Sequence, residues 1–411
     1  MTINKYINNY FLFLFCILPL TIVLGSTVSL INIILIDLSF LILIIYQRNF
    51  DFIRSKPILY LFLLYIYLIF NSFISIDFNE GFFRNFGFIR IILLFMAFNF
   101  FFLQKDFHKK VFKFWSLIIF IVLLDVFIEA IFGKNILGFS GREQGYGLRI
   151  VSFFKDEPIV GSYLSGFYLL IIGFLMTELK DKNFLFVSIT MILIMVGIFL
   201  TGERAITIKT FLGLSLFLLF INLINIRKKI IIISAIITIV LFAVFNPFVE
   251  EGFLKHRYGR HLDRLLVKDN VYFLNYKYGF EIFKENKIFG VGNKNYRVES
   301  CKIENIKKYT NLCNTHPHQI YFELLSEHGI VGSFIILFIL FKLVFSKILI
   351  TLNSSNYLKL GSFIYITLIF TPLLPSGAFF SNYLLTIFAI NLSIFYALDE
   401  KLNVFRKKNK Y

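Results

Sequence analysis

The chain reads as a succession of apolar runs separated by short polar and basic breaks. An α-helix needs about 20 apolar residues to cross the hydrocarbon of a bilayer. Runs approaching or reaching that length lie near 10–24, 28–46, 58–74, 88–103, 114–132, 159–177, 184–200, 205–223, 230–246, 320–341, 361–378 and 383–398. They predict an all-α, polytopic integral membrane bundle of about twelve transmembrane helices, a single membrane domain over residues 1–411. The first run lacks a small-residue cleavage site and is followed almost at once by the second, so it reads as a retained helix and not as a signal peptide. One long polar stretch, 247–317, stands apart from the short breaks, and no internal repeat or heptad pattern is visible.

Composition strengthens this picture. At 58% hydrophobic residues and a mean hydropathy of +0.77, the chain is more apolar than soluble domains, which hold about 45–50%. The net charge of +17 raises the question of nucleic acid, but the Lys and Arg residues are scattered over the breaks and are not gathered on one module. Membrane topology explains them better. With the N-terminus cytoplasmic, the inside segments carry 21 Lys and Arg, including the basic tail 399–411, against six in the short outside breaks. That asymmetry sets the orientation. Both termini are then cytoplasmic, and the 247–317 loop faces outward with 13 further Lys and Arg.

Three clusters of ionisable residues fall on the outward side. The first is NTHPHQIYFELLSEHGIVG, residues 314–332. Pro317 suits the first turn of a helix, which predicts a start near Thr315 or His316 and puts His316 and His318 at a helix N-terminal rim. Such a rim favours an anion and a neutral histidine, which is the form that acts as a general base. Glu323 and Glu327 share a helical face; Glu323 reads as a structural carboxylate that bonds a neighbour or orients a loop, Glu327 as either structural or catalytic, and His328 as packing. The second cluster, GREQGYGLRIVSFFKDEPIVGSYL (141–164), offers Arg142 and Arg149. The third, TGERAI (201–206), offers Arg204 beside Glu203.

Two or more arginines with a histidine on one membrane face suit a diphosphate next to a hydroxyl that must be deprotonated, because the guanidinium fork grips phosphate oxygens and keeps its charge. The bland alternative is an arginine that pairs with Glu203 or snorkels to headgroups. No Asp-rich motif, HExxH or GxxxxGK[ST] occurs, and His316-x-His318 lacks further metal ligands nearby, so no metal or cofactor is expected. Arg90, Lys209, Asp37, Asp125 and Glu129 lie in or beside apolar spans, where charges mark a cavity or an internal pairing. Cys301 and Cys313 form either a disulfide or two free thiols.

In order and spacing these motifs resemble the O-antigen ligase and O-antigen polymerase superfamily of bacterial envelope glycosyltransferases. The resemblance runs over about 185 residues, from RIVSFFKDEPIVGSYL (149–164) through TGER (201–204) and YGFEIFKENKIFGVGNKNY (278–296) to HPHQIYFELLSEHGIVG (316–332). His318, Glu327, Gly329 and Gly332 fall in register with that family's His and Glu-x-Gly-x-x-Gly pattern; members often have Asn where this chain has Gln319. The resemblance implies transfer of a glycan from an undecaprenyl-diphosphate carrier to an acceptor hydroxyl on the periplasmic face of the bacterial inner membrane. It implies His318 as the catalytic base with His316 as its rival and Glu327 as a third candidate, and Arg149, Arg204 and Arg142 as binders of the donor diphosphate. The acceptor, lipid or glycan, is left open, as is ligase against polymerase. About twelve spans with internal charges also fit a transporter or flippase for a polysaccharide or lipid-linked oligosaccharide, which predicts broken helices at matching positions in two halves. The Pro-interrupted run near Thr371 to Pro375 has no such counterpart in the first half.

Overall fold

A computed structural model describes residues 4–48, 50–141, 149–155, 157–179, 183–245, 258, 271–302, 313–352 and 354–406. Every regular element among them is helical. The first half comprises α1 (Lys5–Cys16), α2 (Leu18–Val23), α3 (Ser26–Gln47), α4 (Lys56–Phe73), α5 (Phe78–Phe86), α6 (Ile89–Phe101), α7 (Phe107–Phe132), α8 (Val160–Leu179) and α9 (Phe184–Leu200). The second comprises α10 (Arg204–Phe220), α11 (Ile226–Phe245), α12 (Val271–Glu285), α13 (Tyr296–Ser300), α14 (Ile320–Leu343), α15 (Ile348–Leu352), α16 (Tyr357–Ile369) and α17 (Asn382–Ala397). Six stretches, Ser26–Gln47, Lys56–Phe73, Phe78–Phe101, Phe107–Phe132, Val160–Leu179 and Ile320–Leu352, are long and apolar enough to cross a membrane. Phe184–Leu200, Tyr357–Ile369 and Asn382–Ala397 are shorter apolar helices.

The bundle is inverted relative to a water-soluble protein. On α3, Ser29, Asn32 and Asp37 are buried while Leu38, Ile42 and Ile45 are exposed. Polar groups face the interior and aliphatic ones the outside, as a lipid-facing helix requires. Helix α8 forms the centre, with most of its side chains buried against α9, α16 and α10. Gly173 and Gly361 allow α8 and α16 to touch backbone to backbone, since a methyl group on either would meet the main chain of Tyr357 or Leu169.

Several expected boundaries move, each for a local reason. The run 10–24 is two helices that part at Ile17, where Pro19 opens α2 without an N–H to give. The run 88–103 is preceded by the separate amphipathic helix α5, started by the Asp77 side chain accepting from the Asn79 N–H. The run 361–378 is the shorter α16, capped by Asn356 and stopped just before Thr371-Pro372 because the residue preceding a proline disfavours helix. Segment 370–381 that follows is irregular. Within the long 247–317 loop the described parts include α12 and α13, so it carries structure of its own.

Candidate active site

The segments that meet at one end of the bundle are fastened in large part by carboxylates that accept from backbone N–H groups. In the first, α7 ends with Asp125 and Glu129. Glu129 accepts from the N–H groups of Gly141 (3.3 Å), Val151 (3.2 Å) and Ser152 (2.6 Å). Asp125 accepts from the Ser152 hydroxyl (2.5 Å) and the Ile136 N–H (2.9 Å), and the Asn135 amide donates to the Ser152 carbonyl (2.6 Å). The chain on either side of the 142–148 segment is thereby fastened to α7, and Arg149 is presented two residues before Val151. Arg142 itself lies outside the described residues.

The Thr201–Gly202 turn joins α9 to α10 with Gly202 at φ +75°, a conformation that suits glycine. The Thr201 carbonyl accepts from the Ile150 N–H (3.3 Å), which docks the Arg149 segment directly on the turn that carries Arg204. Glu203 caps α8, accepting from the N–H groups of Gly161 (2.6 Å) and Ser162 (3.3 Å). The Arg204 guanidinium donates to the Tyr272 hydroxyl from α12.

The histidine segment departs from the expected helix start. Helix α14 begins at Ile320, and the Gln319 side chain accepts from the Tyr321 (2.7 Å) and Phe322 (3.1 Å) N–H groups. Those are the orphan donors that an anion would have used, so the cap replaces the dipole site. Pro317, His316 and His318 precede the helix. Gln319 fills the role that Asn, a strong N-cap residue, also fills. His318 sits in the left-handed region at φ 58°, unusual for a non-glycine residue, and its carbonyl accepts from the Ser376 N–H (2.9 Å). Ser376 belongs to the irregular 370–381 segment, and both oxygens of Glu323 accept from Phe379 N–H there (3.0 Å each). On the other flank Cys301 and Cys313 are bonded, with Cα atoms 4.4 Å apart, and the Asn314 amide donates to Asn275 (2.7 Å).

Glu327 lies deeper and outside this cluster. Gly329 breaks α14 at φ 61°, ψ −166°, and the loop 287–292 closes the gap. Val291 and Gly292 N–H groups donate to the Ser326 and Glu327 carbonyls (2.9 Å each), and Ile330 and Val331 N–H groups donate to Lys287 (2.9 Å) and Ile288 (3.1 Å). Four backbone groups freed by the break are thus reused, as irregular chain at membrane depth requires. The Glu327 carboxylate accepts from the Tyr296 N–H (3.3 Å) and that of Lys294. His328 Nδ1 bonds the Tyr67 hydroxyl (3.1 Å). The family-like Glu-x-Gly-x-x-Gly stretch therefore builds a clamp on the 287–296 loop.

These elements enclose a cavity of about 1140 Å³. Arg149, Arg204, His316, His318, Tyr272 and Tyr276 line its polar part, and Ile208, Leu368 and Ile369 line an apolar part. Arg149 makes no hydrogen bond or ion pair among the described residues, yet it lies close enough to Arg204 for each charge to be felt by the other. The histidine rings are 4.2 Å apart between centroids, and Tyr272 meets His318 edge-on at 5.9 Å. Burial, and next the Arg149 charge, pull His318 below the ordinary imidazole value. Burial, then His318 and Lys294, pull His316 down to about 3. Both rings are neutral near pH 7, the form able to take a proton. His316 Nδ1 is engaged by the Thr315 hydroxyl (3.0 Å), and its Nε2 is buried without a partner. Among the described residues no three His, Cys, Asp or Glu side chains come together as a metal site would need.

Residues 189–337 match the family model described as O-antigen ligase. Over that stretch the match supports the resemblance to the O-antigen ligase and polymerase superfamily. No curated protein matches the chain. The match supports a membrane function of O-antigen ligase type in general. The matched stretch brings Arg204, His316, His318 and Glu327 into the family's domain, while Arg149 lies N-terminal to it and reaches the site through the Ile150–Thr201 bond. Of the residues expected from the superfamily pattern, Arg149, Arg204, His316 and His318 come together and Glu327 does not. Tyr272 and Tyr276 of α12 and the 373–377 lining were missed. Nothing in the sequence sets those tyrosines apart from the chain's 21. Arg90 lies in a second cavity, of about 650 Å³, where its guanidinium donates to Asn382 (2.7 Å) as does that of Arg84.

Proposed function

We propose that this protein is a membrane glycosyltransferase that moves a glycan from an undecaprenyl-diphosphate carrier to an acceptor hydroxyl on the periplasmic face, as an O-antigen ligase or polymerase. The observation that carries the reading is the unpaired Arg149 guanidinium beside Arg204, in one cavity with two neutral histidines. An unpaired guanidinium held beside a second one supports a preformed anion site, and bidentate guanidiniums match a diphosphate. The volume exceeds the roughly 300–1,000 Å³ of ordinary small-molecule pockets, and its apolar part suits a polyprenyl chain. In this reading the 247–317 loop faces outward and the cavity mouth opens to the periplasm, an orientation that the distribution of Lys and Arg supports.

In this reading His318 accepts the proton of the acceptor hydroxyl as its oxygen bonds the anomeric carbon. The bond from that carbon to the diphosphate oxygen breaks, and the electron pair stays on the phosphate. Arg149 and Arg204 meet the charge that develops there, in a site partly dried by its walls. His316 holds the imidazole of His318 in place by ring contact. Replacing His318 with Ala leaves the protein in the membrane and lowers transfer of a lipid-linked glycan in purified proteoliposomes by about 10²–10⁴-fold, the usual worth of a general base. Undiminished transfer in that variant overturns the mechanism.

A further inference from the structure

We propose that Lys209 is a third phosphate-binding cation of the same cavity and that it holds the lipid-side phosphate of the diphosphate. The proposal rests on the functional reading above and assigns a register to the substrate within it. Lys209 stands on α10, lines the cavity, and is 7% exposed. Among the described residues it makes neither an ion pair nor a hydrogen bond. A buried lysine without a partner is costly, and a ligand that supplies the opposite charge removes the cost.

Its place in the cavity says which charge. Lys209 follows Arg204 by five residues, about 7.5 Å further along the helix axis at 1.5 Å per residue. Around that depth the lining changes character, to Ile208, Tyr365, Leu368 and Ile369, with the Ser165 and Thr210 hydroxyls bonded to each other at 2.7 Å. A lipid diphosphate with its chain in this apolar part and its sugar toward His318 brings the chain-bearing phosphate to Lys209. The sugar-bearing phosphate is left to Arg149 and Arg204. On transfer the carbon–oxygen bond to the sugar-bearing phosphate breaks and the new negative charge appears there, while the acceptor's proton goes to His318. The chain-bearing phosphate keeps the same charge before and after. Lys209 therefore binds substrate, transition state and product alike, which affects KM more than kcat.

Undecaprenyl monophosphate carries only the chain-side phosphate, and this gives the test. Binding of undecaprenyl monophosphate and undecaprenyl diphosphate is measured on the full-length protein in nanodiscs, for wild type, Lys209→Met, Lys209→Arg and Arg204→Gln. Lys209→Met is expected to weaken both lipids by about 10–100-fold, with partial rescue by Lys209→Arg, and to raise donor KM with kcat little changed. Arg204→Gln is expected to weaken the diphosphate only. Met removes a buried charge of similar length, so thermal stability at or above wild type shows that the fold is intact. Wild-type affinity of Lys209→Met for both lipids overturns the inference, as does an Arg204→Gln loss for the monophosphate equal to that for the diphosphate. If diphosphate binding still depends on Arg204 in the first case, the functional reading stands without it. If the wild type binds neither lipid, both fall.

Discussion

The most demanding prediction concerns Glu129, which never touches the cavity yet decides where Arg149 stands. Glu129→Gln keeps the shape of the side chain and removes its charge. The amide oxygen can retain the Ser152 N–H (2.6 Å) and share Val151, but the NH₂ then faces the Gly141 N–H, donor against donor. One hydrogen bond to a charged group is lost, worth about 1.5–3 kcal/mol, and the two that remain become neutral bonds of about 0.5–1.5 kcal/mol each. Against this stand the intact anchors on the same loop, Asp125 to Ser152 and Ile136, and Asn135 to Ser152. The docking is therefore weakened by about 3.5–6 kcal/mol, and these anchors keep the loop on α7. At 1.4 kcal/mol per tenfold, donor KM is expected to rise by roughly 10-fold or more as Arg149 loses its fixed position.

The assay is transfer of a lipid-linked glycan in proteoliposomes, run as a double-mutant cycle with Arg149→Ala. If Glu129 acts through Arg149, adding Glu129→Gln to Arg149→Ala costs little more, because the positioned group is already gone. Full additivity of the two changes, or an unaltered donor KM in Glu129→Gln, refutes the reasoning.

Three further outcomes follow from other parts of the molecule. Both site histidines are held neutral with proton affinities below the ordinary imidazole, so their contribution to stability is present above pH 6.5 and is lost as pH falls, since the unfolded chain binds protons that the folded one refuses; kcat/KM should stay flat from pH 8 to pH 6.5 and decline only below, and a decline already at pH 7.5 contradicts the assignment. Gly329→Ala forces a side chain into a left-handed backbone packed on Ile288 and Gly290, so the full-length protein should accumulate poorly or lose more than about 1–3 kcal/mol of stability in a detergent melt. Cys301→Ser opens a loop of twelve-residue separation, worth about 3 kcal/mol in chain entropy, and should raise protease sensitivity between α12 and α14 in non-reducing buffer; equal digestion of both forms speaks against it.

How far the sequence discloses this architecture depends on which force sets each element. Apolar runs are long-range signals, so α3, α4, α8 and α9 are legible to within a few residues and the C-terminal ends of α7 and α14 likewise. Breaks are local: Pro19 and Pro372 end helices through a missing N–H and a steric clash that an apolar run conceals. Helix α5 eluded the reading because FNEGFFRNF is too polar for a span and too short to stand out. The expected start of α14 lies four or five residues early because Pro317 competes with Gln319 as a start signal, and the side-chain cap won. That shift turned a site built on a helix dipole into one built on arginines from two other segments. Arg149 and Arg204 were legible as residues, but their meeting depends on the Ile150–Thr201 contact across 51 residues, which no pattern in either segment announces.

The carboxylates explain why the site is so positive. A sequence reading pairs Glu203 with its neighbour Arg204 and counts Glu129 and Glu323 as charges inside a bundle. In the structure Glu129, Glu203, Glu323 and Glu327 each accept from backbone N–H groups of a different irregular segment: 141–152, the start of α8, 379 and 294–296. Irregular backbone in an apolar bundle has donors to satisfy, and an ionised carboxylate accepts two or three at once, more strongly than neutral partners do. Glu129 in particular, which fastens the Arg149 segment, is thereby engaged by the backbone. Arg149, two residues from a segment held this way, keeps its charge uncompensated and turned toward the cavity. In the proposed reading the anion site follows from how the loops are fastened: a chain that held the 141 and 151–152 backbone with serines and asparagines would leave Glu129 free to seek a guanidinium, and Arg149 would be less available to a diphosphate.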